Sequence, residues 1–342
     1  MRTIFLLFVI AIMAPRALAQ PDPVIAAMIN QVSTDTLLNN TRPICGKLPV
    51  VVNGRQDTIF SRSYDMPGNE LAFAYLKSRL QQYGVPVDSL VFGTRGKNLF
   101  ATIKGTIDST KFILIGAHYD NVGSPVAQGA DDNASGVAAV LECLRICATT
   151  PMAYTVVFAF WDEEELGSQG SRAYVTTIPG SGRELMGSIN MDMIAWDGNR
   201  DSTAEIHVRN VRQSPQWAAK AVTINQDYNI GLRLNIISPG SSAMDATSFW
   251  NANQPAIAIN EDYAHDPNPN WHTVNDTLGS LNLPYFTMIT RLSLATMLTY
   301  ARPQSSAIGE IPAPAVRIWP NPVDAALLIE RDAPNAAVAS LY

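Results

Sequence analysis

The sequence predicts an α/β fold: a mostly parallel, mixed central sheet with helices on both faces, three layers forming one large domain. Three observations carry this reading. The chain has 342 residues, 47% of them hydrophobic, enough to bury a sizeable single core. From about residue 98 onward, strand-length apolar runs alternate with helix-patterned segments, and the runs are near-continuously apolar, as strands buried on both faces are. Ionisable residues gather just past the ends of those runs, where open α/β sheets bind ligands.

Residues 20 to about 65 read as irregular, with a strand expected in "KLPVVVNG". The stretch "NELAFAYLKSRLQQYG" then puts Leu71, Ala72, Tyr75, Leu76 and Leu80 at helical spacing and stops at Gly84, a suitable C-cap. Strands are expected at "NLFATIKG", "KFILIGAHYD", "YTVVFAFW", "GSINMDMIAW" and "PAIAINE". Between them, helices are expected at "ASGVAAVLECLRICA", near "GSQGSRAYV", at "SPQWAAKAVTINQDY" and at "MDATSFWNAN"; the longest, "LPYFTMITRLSLATMLTYA", closes the domain. "RPQSSAIGEIPAPA" is a linker by its Pro, Ala and Ser content.

Net charge is −6, which leaves no basic stripe to neutralise phosphates and excludes nucleic acid as a partner. The first nineteen residues carry Arg2, an apolar run and Ala17-Leu18-Ala19, the pattern of a signal peptide cleaved after Ala19, so the protein is expected to be secreted or at the cell surface. That run is shorter than the ~20 residues a membrane span requires, and no other stretch is long enough. Export implies an oxidising compartment, yet there are only Cys45, Cys143 and Cys147. The last two lie four apart on a helix, where Cβ atoms sit ~5–6 Å apart, beyond the ~4 Å of a disulfide. Either one of them pairs with Cys45 or all three are buried thiols.

The polar residues at the strand ends carry the chemistry. "FILIGAHYD" ends in His118 and Asp120, "VVFAFWDEEE" in Asp162, Glu163, Glu164 and Glu165, and "INMDMIAWD" carries Asp192 and Asp197. "QGADDNASG" adds Asp131 and Asp132 at the start of a helix. Carboxylates this crowded, with no Lys or Arg nearby in sequence, resist desolvation unless a cation sits among them. Histidine alongside Asp and Glu favours zinc over calcium or magnesium. Of the four histidines, His207 reads as an ordinary core or surface residue, whereas His265 and His272 flank "DPNPNW" in a loop that can offer a ligand.

The stretches "GAHYD", "GADDNASG", "EEELGSQGS", "NMDMIAWD" and "WHTVNDT", in this order within residues 62–301, resemble the co-catalytic zinc exopeptidase family that includes bacterial leucyl aminopeptidases and glutamate carboxypeptidases. The resemblance implies two zinc ions per chain, one held by His118, Asp132 and Asp192, the other by Asp132, Glu165 and His272, with Asp132 bridging. His265 is the weaker alternative to His272 because it lacks the following "TxxDT". The resemblance further implies Glu164 as the general base, a cis peptide after Asp132, and Asp120 as the carboxylate that orients a ligand histidine. Asp276 is expected to do the same for His272. Asp162 and Glu163 have no implied role and are expected to form a solvated strand end; if the run stays extended, Glu163 and Glu165 share one side and Glu164 points elsewhere.

The expected activity is that of a secreted zinc aminopeptidase acting on peptides with a free N-terminus. A glutaminyl cyclase with a single zinc and a carboxypeptidase are alternatives on the same fold; a non-catalytic surface module would lack ligands, and none is missing. The substrate pocket is expected from "SPGSSAMDATSFW" and "NEDYAHDPNPNW", without particular residues assigned. There the family's Ser-Asp-His is replaced, since Asp245 is followed by Ala246. The resulting domain map is a signal peptide over 1–19, an N-terminal segment over 20–61, the catalytic domain over 62–301, a linker over 302–315 and a C-terminal segment over 316–342. The "WPNPV" of that last segment resembles the start of the sorting domain of type IX secretion cargo, making that machinery an expected partner.

Overall fold

A computed structural model describes residues 21–123, 126–304, 317–319 and 328–330. The expected signal peptide, most of the linker and most of the C-terminal segment lie outside the described residues. A short antiparallel hairpin, β1 (Val50–Val52) and β2 (Arg55–Asp57), precedes the main sheet. Eight strands build that sheet: β3 (Val87–Phe92), β4 (Gly96–Ile103), β5 (Asp108–His118), β6 (Tyr154–Trp161), β7 (Glu184–Met191), β8 (Thr203–His207), β9 (Arg233–Ile237) and β10 (Ala256–Glu261). Their spatial order is β3-β4-β6-β5-β7-β10-β8-β9. The central strands β6, β5, β7 and β10 run parallel, β8 and β9 pair parallel, and antiparallel joins occur at β3–β4, β4–β6 and β8–β10.

The continuous apolar runs split into two faces at period two, as a pleated strand requires. Ile113, Ile115 and Ala117 of β5, with Val156, Phe158 and Phe160 of β6, point into one core; Phe112 and Leu114, with Val157, Ala159 and Trp161, point into the other. Burying each such Ile, Leu or Phe side chain contributes ~1.5–3 kcal/mol. The first core is covered by α1 (Pro23–Ile29), α2 (Thr34–Ile44), α3 (Pro67–Gln81), α4 (Ala134–Cys147), α6 (Ser214–Asp227) and α8 (Leu283–Ala301), the second by α5 (Gln169–Val175) and α7 (Ala246–Asn251). The predicted three-layer arrangement is therefore present.

The segment read as irregular before residue 65 is largely helical, which corrects that expectation. Helix α1 is only seven residues long, and α2, although one face is buried, is mostly polar and carries Pro43, so neither stands out as an apolar helical run. Tertiary packing makes them: Ile25, Met28, Ile29, Leu37 and Ile44 are buried in the core beside α4 and α8. Strands β3, β8 and β9 were also not legible. Strands β3 and β9 are half exposed, and β8, although buried, holds a Glu205–His207 pair at 2.8 Å whose polarity breaks the apolar run. All three cysteines are buried, unpaired thiols. No helix among the described residues is long and apolar enough to cross a membrane.

One contact fixes the position of the site. Helix α4 is capped by Asn133, whose side-chain oxygen accepts from Gly136 N at 2.9 Å while its amide donates to Met191 O at 3.0 Å. A Cβ at Gly136 would collide with Met191 O and the Asn133 side chain, so glycine is required there. The close approach brings Asp132, just before α4, beside Asp192, just after β7.

Candidate metal centre

Past the carboxyl ends of β5, β6 and β7, two groups of side chains converge, each offering ligand atoms within 4.8 Å of one another: His118, Asp132 and Asp192, and Asp132, Glu165 and His272. His118 Nε2 lies 3.1 Å from Asp192 Oδ1 and 3.4 Å from Asp132 Oδ1. His272 Nε2 lies 3.1 Å from both Asp132 Oδ2 and Glu165 Oε2. Asp132 thus belongs to both groups, one oxygen to each, and the peptide bond that follows it is cis. All five residues singled out in the sequence meet here. His265 does not; its ring is exposed and pairs with Asp262 at 3.1 Å.

The electrostatics describe a centre short of positive charge. Burial pushes the Glu165 carboxyl up to about 7, with the Asp132 charge adding and His272 opposing. Burial likewise raises Asp192. Burial works against the charge of His272, yet its hydrogen bonds to Asp132 and Glu165 lift it to about 10; His118 is lifted by Asp192, Asp120 and Asp132 against the same opposition. Asp132 is held below the usual carboxylate range because hydrogen bonds to the two histidines outweigh its burial. Among the described residues, the ion pairs to Asp132, Asp192 and Glu165 come from histidines alone. Glu165 Oε1 is buried with no hydrogen-bond partner. A nitrogen-and-carboxylate donor set with an unspent buried oxygen suits zinc.

The acidic run after β6 is not an extended strand end, which corrects two expectations. The strand stops at Trp161 and Glu163 takes φ +56°, so alternation no longer decides where Glu163, Glu164 and Glu165 point. Asp162 is not solvated: it is buried and accepts from Asn69 Nδ2 at 2.8 Å, Glu163 N at 3.0 Å and Lys97 N at 3.0 Å. The turn that follows is held by Asp120, which accepts from Glu164 N at 3.0 Å and Glu165 N at 3.2 Å. The same residue also reaches His118 Nδ1, 3.4 Å from Oδ1, so it touches the histidine as well as the acidic turn. Glu164 takes a hydrogen bond from Ser168 Oγ at 3.0 Å. Its carboxyl is raised well above the usual range by burial and by the Asp245, Asp192 and Asp120 charges, with His118 opposing.

Asp276 departs from its expected role. Its carboxylate accepts from Asp131 N at 2.8 Å and Asp132 N at 3.0 Å, so it braces the Asp132 loop and not His272. Arg62, missed in the sequence, braces the same loop from below. It is fully buried and donates to the carbonyls of Tyr119, Ile44, Gln128 and Gly129 at 2.7–3.0 Å. No signal marked it, because it lies 56 residues before His118 in a segment without pattern. Asp245 is buried near Glu164 with neither oxygen hydrogen-bonded, and burial pushes it up to about 7. A cavity of about 840 Å³ opens onto the two groups. Ser241 and Ala243, with Thr247 and Ser248 from the first turn of α7, line it from one of the two stretches expected to form the pocket, and Tyr263 and Trp271 from the other.

A family model for peptidase family M28 matches residues 98–297. The chain belongs to peptidase family M28. Within that family it resembles a probable zinc metalloprotease of Pyrenophora tritici-repentis, 27% identical over 236 residues, covering 62% of this chain and 53% of that protein. Leupeptin-inactivating enzyme 1 of Streptomyces exfoliatus is 31% identical over 186 residues, covering 53% and 40%. The chain therefore spans about half the length of the curated relatives it matches. In fold it is similar to the LapA aminopeptidase of Legionella pneumophila, with a TM-score of 0.71 at 21% identity over 82% of this chain and 75% of that one. It is also similar to the glutaminyl cyclase of Porphyromonas gingivalis, with a TM-score of 0.65 at 17% identity over 78% and 98%. The M28 match spans β5, which ends in His118, the segments just past β6 and β7 that hold Glu165 and Asp192, and the loop that holds His272.

Proposed function

We propose that this M28 peptidase is an aminopeptidase that holds two zinc ions, one on His118, Asp132 and Asp192 and the other on Asp132, Glu165 and His272. The observation that supports it is the sharing of Asp132 between two complete donor groups, with all four partners buried or half-buried at one cavity floor. Zinc, when bound, supplies Lewis-acid polarisation of the scissile carbonyl and acidifies water at the site. The chain's own residues do the rest. Glu164, in the cavity wall and held by Ser168, takes a proton from the attacking water and returns it to the departing amine. Glu164 and Asp245, carboxyls at the site that are not among the proposed ligands, are placed to attract the positive α-amine of a peptide, which supports cleavage at the N-terminal residue. Export rests on the pattern of residues 1–19, and a role for type IX secretion rests on the "WPNPV" segment.

The deciding experiment incubates the purified protein with free-amine and N-blocked peptides and with aminoacyl p-nitroanilides. Release of N-terminal residues from free-amine substrates only is expected. Cleavage of blocked peptides from the C-terminal end would make it a carboxypeptidase, and ammonia release from N-terminal glutamine would make it a cyclase. Glu164→Gln should lower turnover roughly 10²–10⁴-fold with zinc content unchanged; near-normal turnover would remove Glu164 as the base.

A further inference from the structure

We infer that Trp271 is the positioning residue of the Asp132–Glu165–His272 group, doing for His272 and Asp132 what Asp120 does for His118. The inference rests on reading the two groups as metal ligands. His118 is held from behind: its Nδ1 faces the Asp120 carbonyl at 3.2 Å and the Asp120 carboxylate at 3.4 Å. His272 has no such partner, and among the described residues no hydrogen bond reaches its Nδ1. What it has is the Trp271 indole, packed on the imidazole with ring centroids 4.1 Å apart and planes 32° from parallel. The same indole donates its Nε1–H to Asp132 Oδ2 at 2.9 Å.

That hydrogen bond falls on only one of the two Asp132 oxygens, the one 3.1 Å from His272 Nε2. The other oxygen, 3.4 Å from His118, lies on the far group. A carboxylate oxygen has two lone pairs, so Oδ2 can keep the indole and still offer a pair to a cation. Holding that oxygen aims its remaining lone pair at the His272 group and leaves Oδ1, on the other side, uncontacted by the indole. Core packing does not explain the tryptophan, because Trp271 is 53% exposed at the cavity rim. An exposed indole that spends its single donor on a shared carboxylate and its face on the neighbouring imidazole is placed to orient both. Groups that orient metal ligands in this way typically contribute ~10–100-fold in metal affinity.

The test measures the stepwise zinc affinities of the full chain by competition with a chromophoric chelator, for the wild type, Trp271→Phe and Trp271→Ala. Trp271→Phe keeps a ring over His272 and deletes only the N–H. It should weaken one of the two ions by about tenfold and leave the other unchanged. Trp271→Ala, which also removes the ring, should weaken the same ion further, toward about a hundredfold. Excess zinc should restore kcat in Trp271→Phe while KM for a p-nitroanilide stays put. Unchanged affinities with a shift in KM alone would make Trp271 a substrate contact and overturn the inference, as would an equal weakening of both ions. A wild-type protein that binds fewer than two ions is a separate result: it removes the two-ion reading of the site, and this inference with it.

Discussion

His118 and His272 stand on opposite sides of Asp132 and are built differently. The His118 side chain is 1% exposed and rides on the end of the central strand β5, with Asp192 just past β7 beside it. The His272 side chain is 35% exposed and sits in a loop, in a left-handed turn with φ +56°, facing a Glu165 that also lies outside regular structure. One half of the centre is thus set by the sheet and cannot shift without disturbing the core; the other is set by loops and by local contacts. The difference teaches that a symmetric-looking pair of candidate metal-ligand groups has unequal rigidity, and under the proposed two-zinc reading that rigidity would set how firmly each half keeps its ion.

The sharpest way to break that contrast is to remove what the halves share. Asp132→Ala takes one oxygen from each group, and zinc content is expected to fall below one ion per chain, with hydrolysis lost. A variant that kept one ion at full affinity would show that Asp132 serves one half only. Next in size is Arg62→Met, which removes the side-chain donor from the carbonyls of Tyr119, Ile44 and Gln128. It is expected to destabilise the fold by about 3–5 kcal/mol in urea denaturation, from buried acceptors left unpaired at about 1–3 kcal/mol each. Because Arg62 and Asp276 brace the Asp132 loop common to both halves, any weakening of zinc binding should be equal at the two. A loss confined to one half would contradict that bracing role.

Between the halves themselves, the expected effect is one of order. Dialysis against a chelator of graded strength should remove one ion first, leaving a one-ion form. His272→Ala should abolish the easily lost ion and spare the retained one, whereas His118→Ala should do the reverse. Simultaneous loss of both ions at every chelator strength would mean that the exposure difference has no energetic consequence.

The same contrast governs what could be read from the sequence. His118, Glu165 and Asp192 follow apolar runs whose strand character is plain, so the sheet's rim is legible from where those runs stop. His272 was reached through the "WHTVNDT" resemblance, since a loop carries no periodicity. The contacts of Trp271, Arg62 and Asp276 are not legible in the sequence. Each acts through a contact between segments far apart in the chain, and such contacts leave no local pattern. The burial of Asp162 is hidden from the sequence for a related reason: its partners Asn69 and Lys97 come from α3 and β4, well before it in the chain.

Asp162 also offers the smallest and most selective test. It is buried beneath the acidic turn, and burial, with the Asp120 charge adding, pushes its carboxyl up to about 6, whereas the same group in the unfolded chain titrates near ~3.9. The folded protein therefore binds a proton at this site more tightly than the unfolded one. Its contribution to stability is fully present below about pH 4 and is lost as pH rises through about 6, the reverse of an ion-paired carboxylate. In metal-free protein, the loss across that window amounts to at most about 3 kcal/mol. Asp162→Asn cannot titrate, so its urea-denaturation free energy should fall less than the wild type's between pH 4 and pH 7, and the difference between the two slopes isolates this carboxyl from the other acids of the site. Parallel slopes would show that Asp162 ionises in the folded state as it does in water, and that the three donors around it stabilise its charge as well as solvent does.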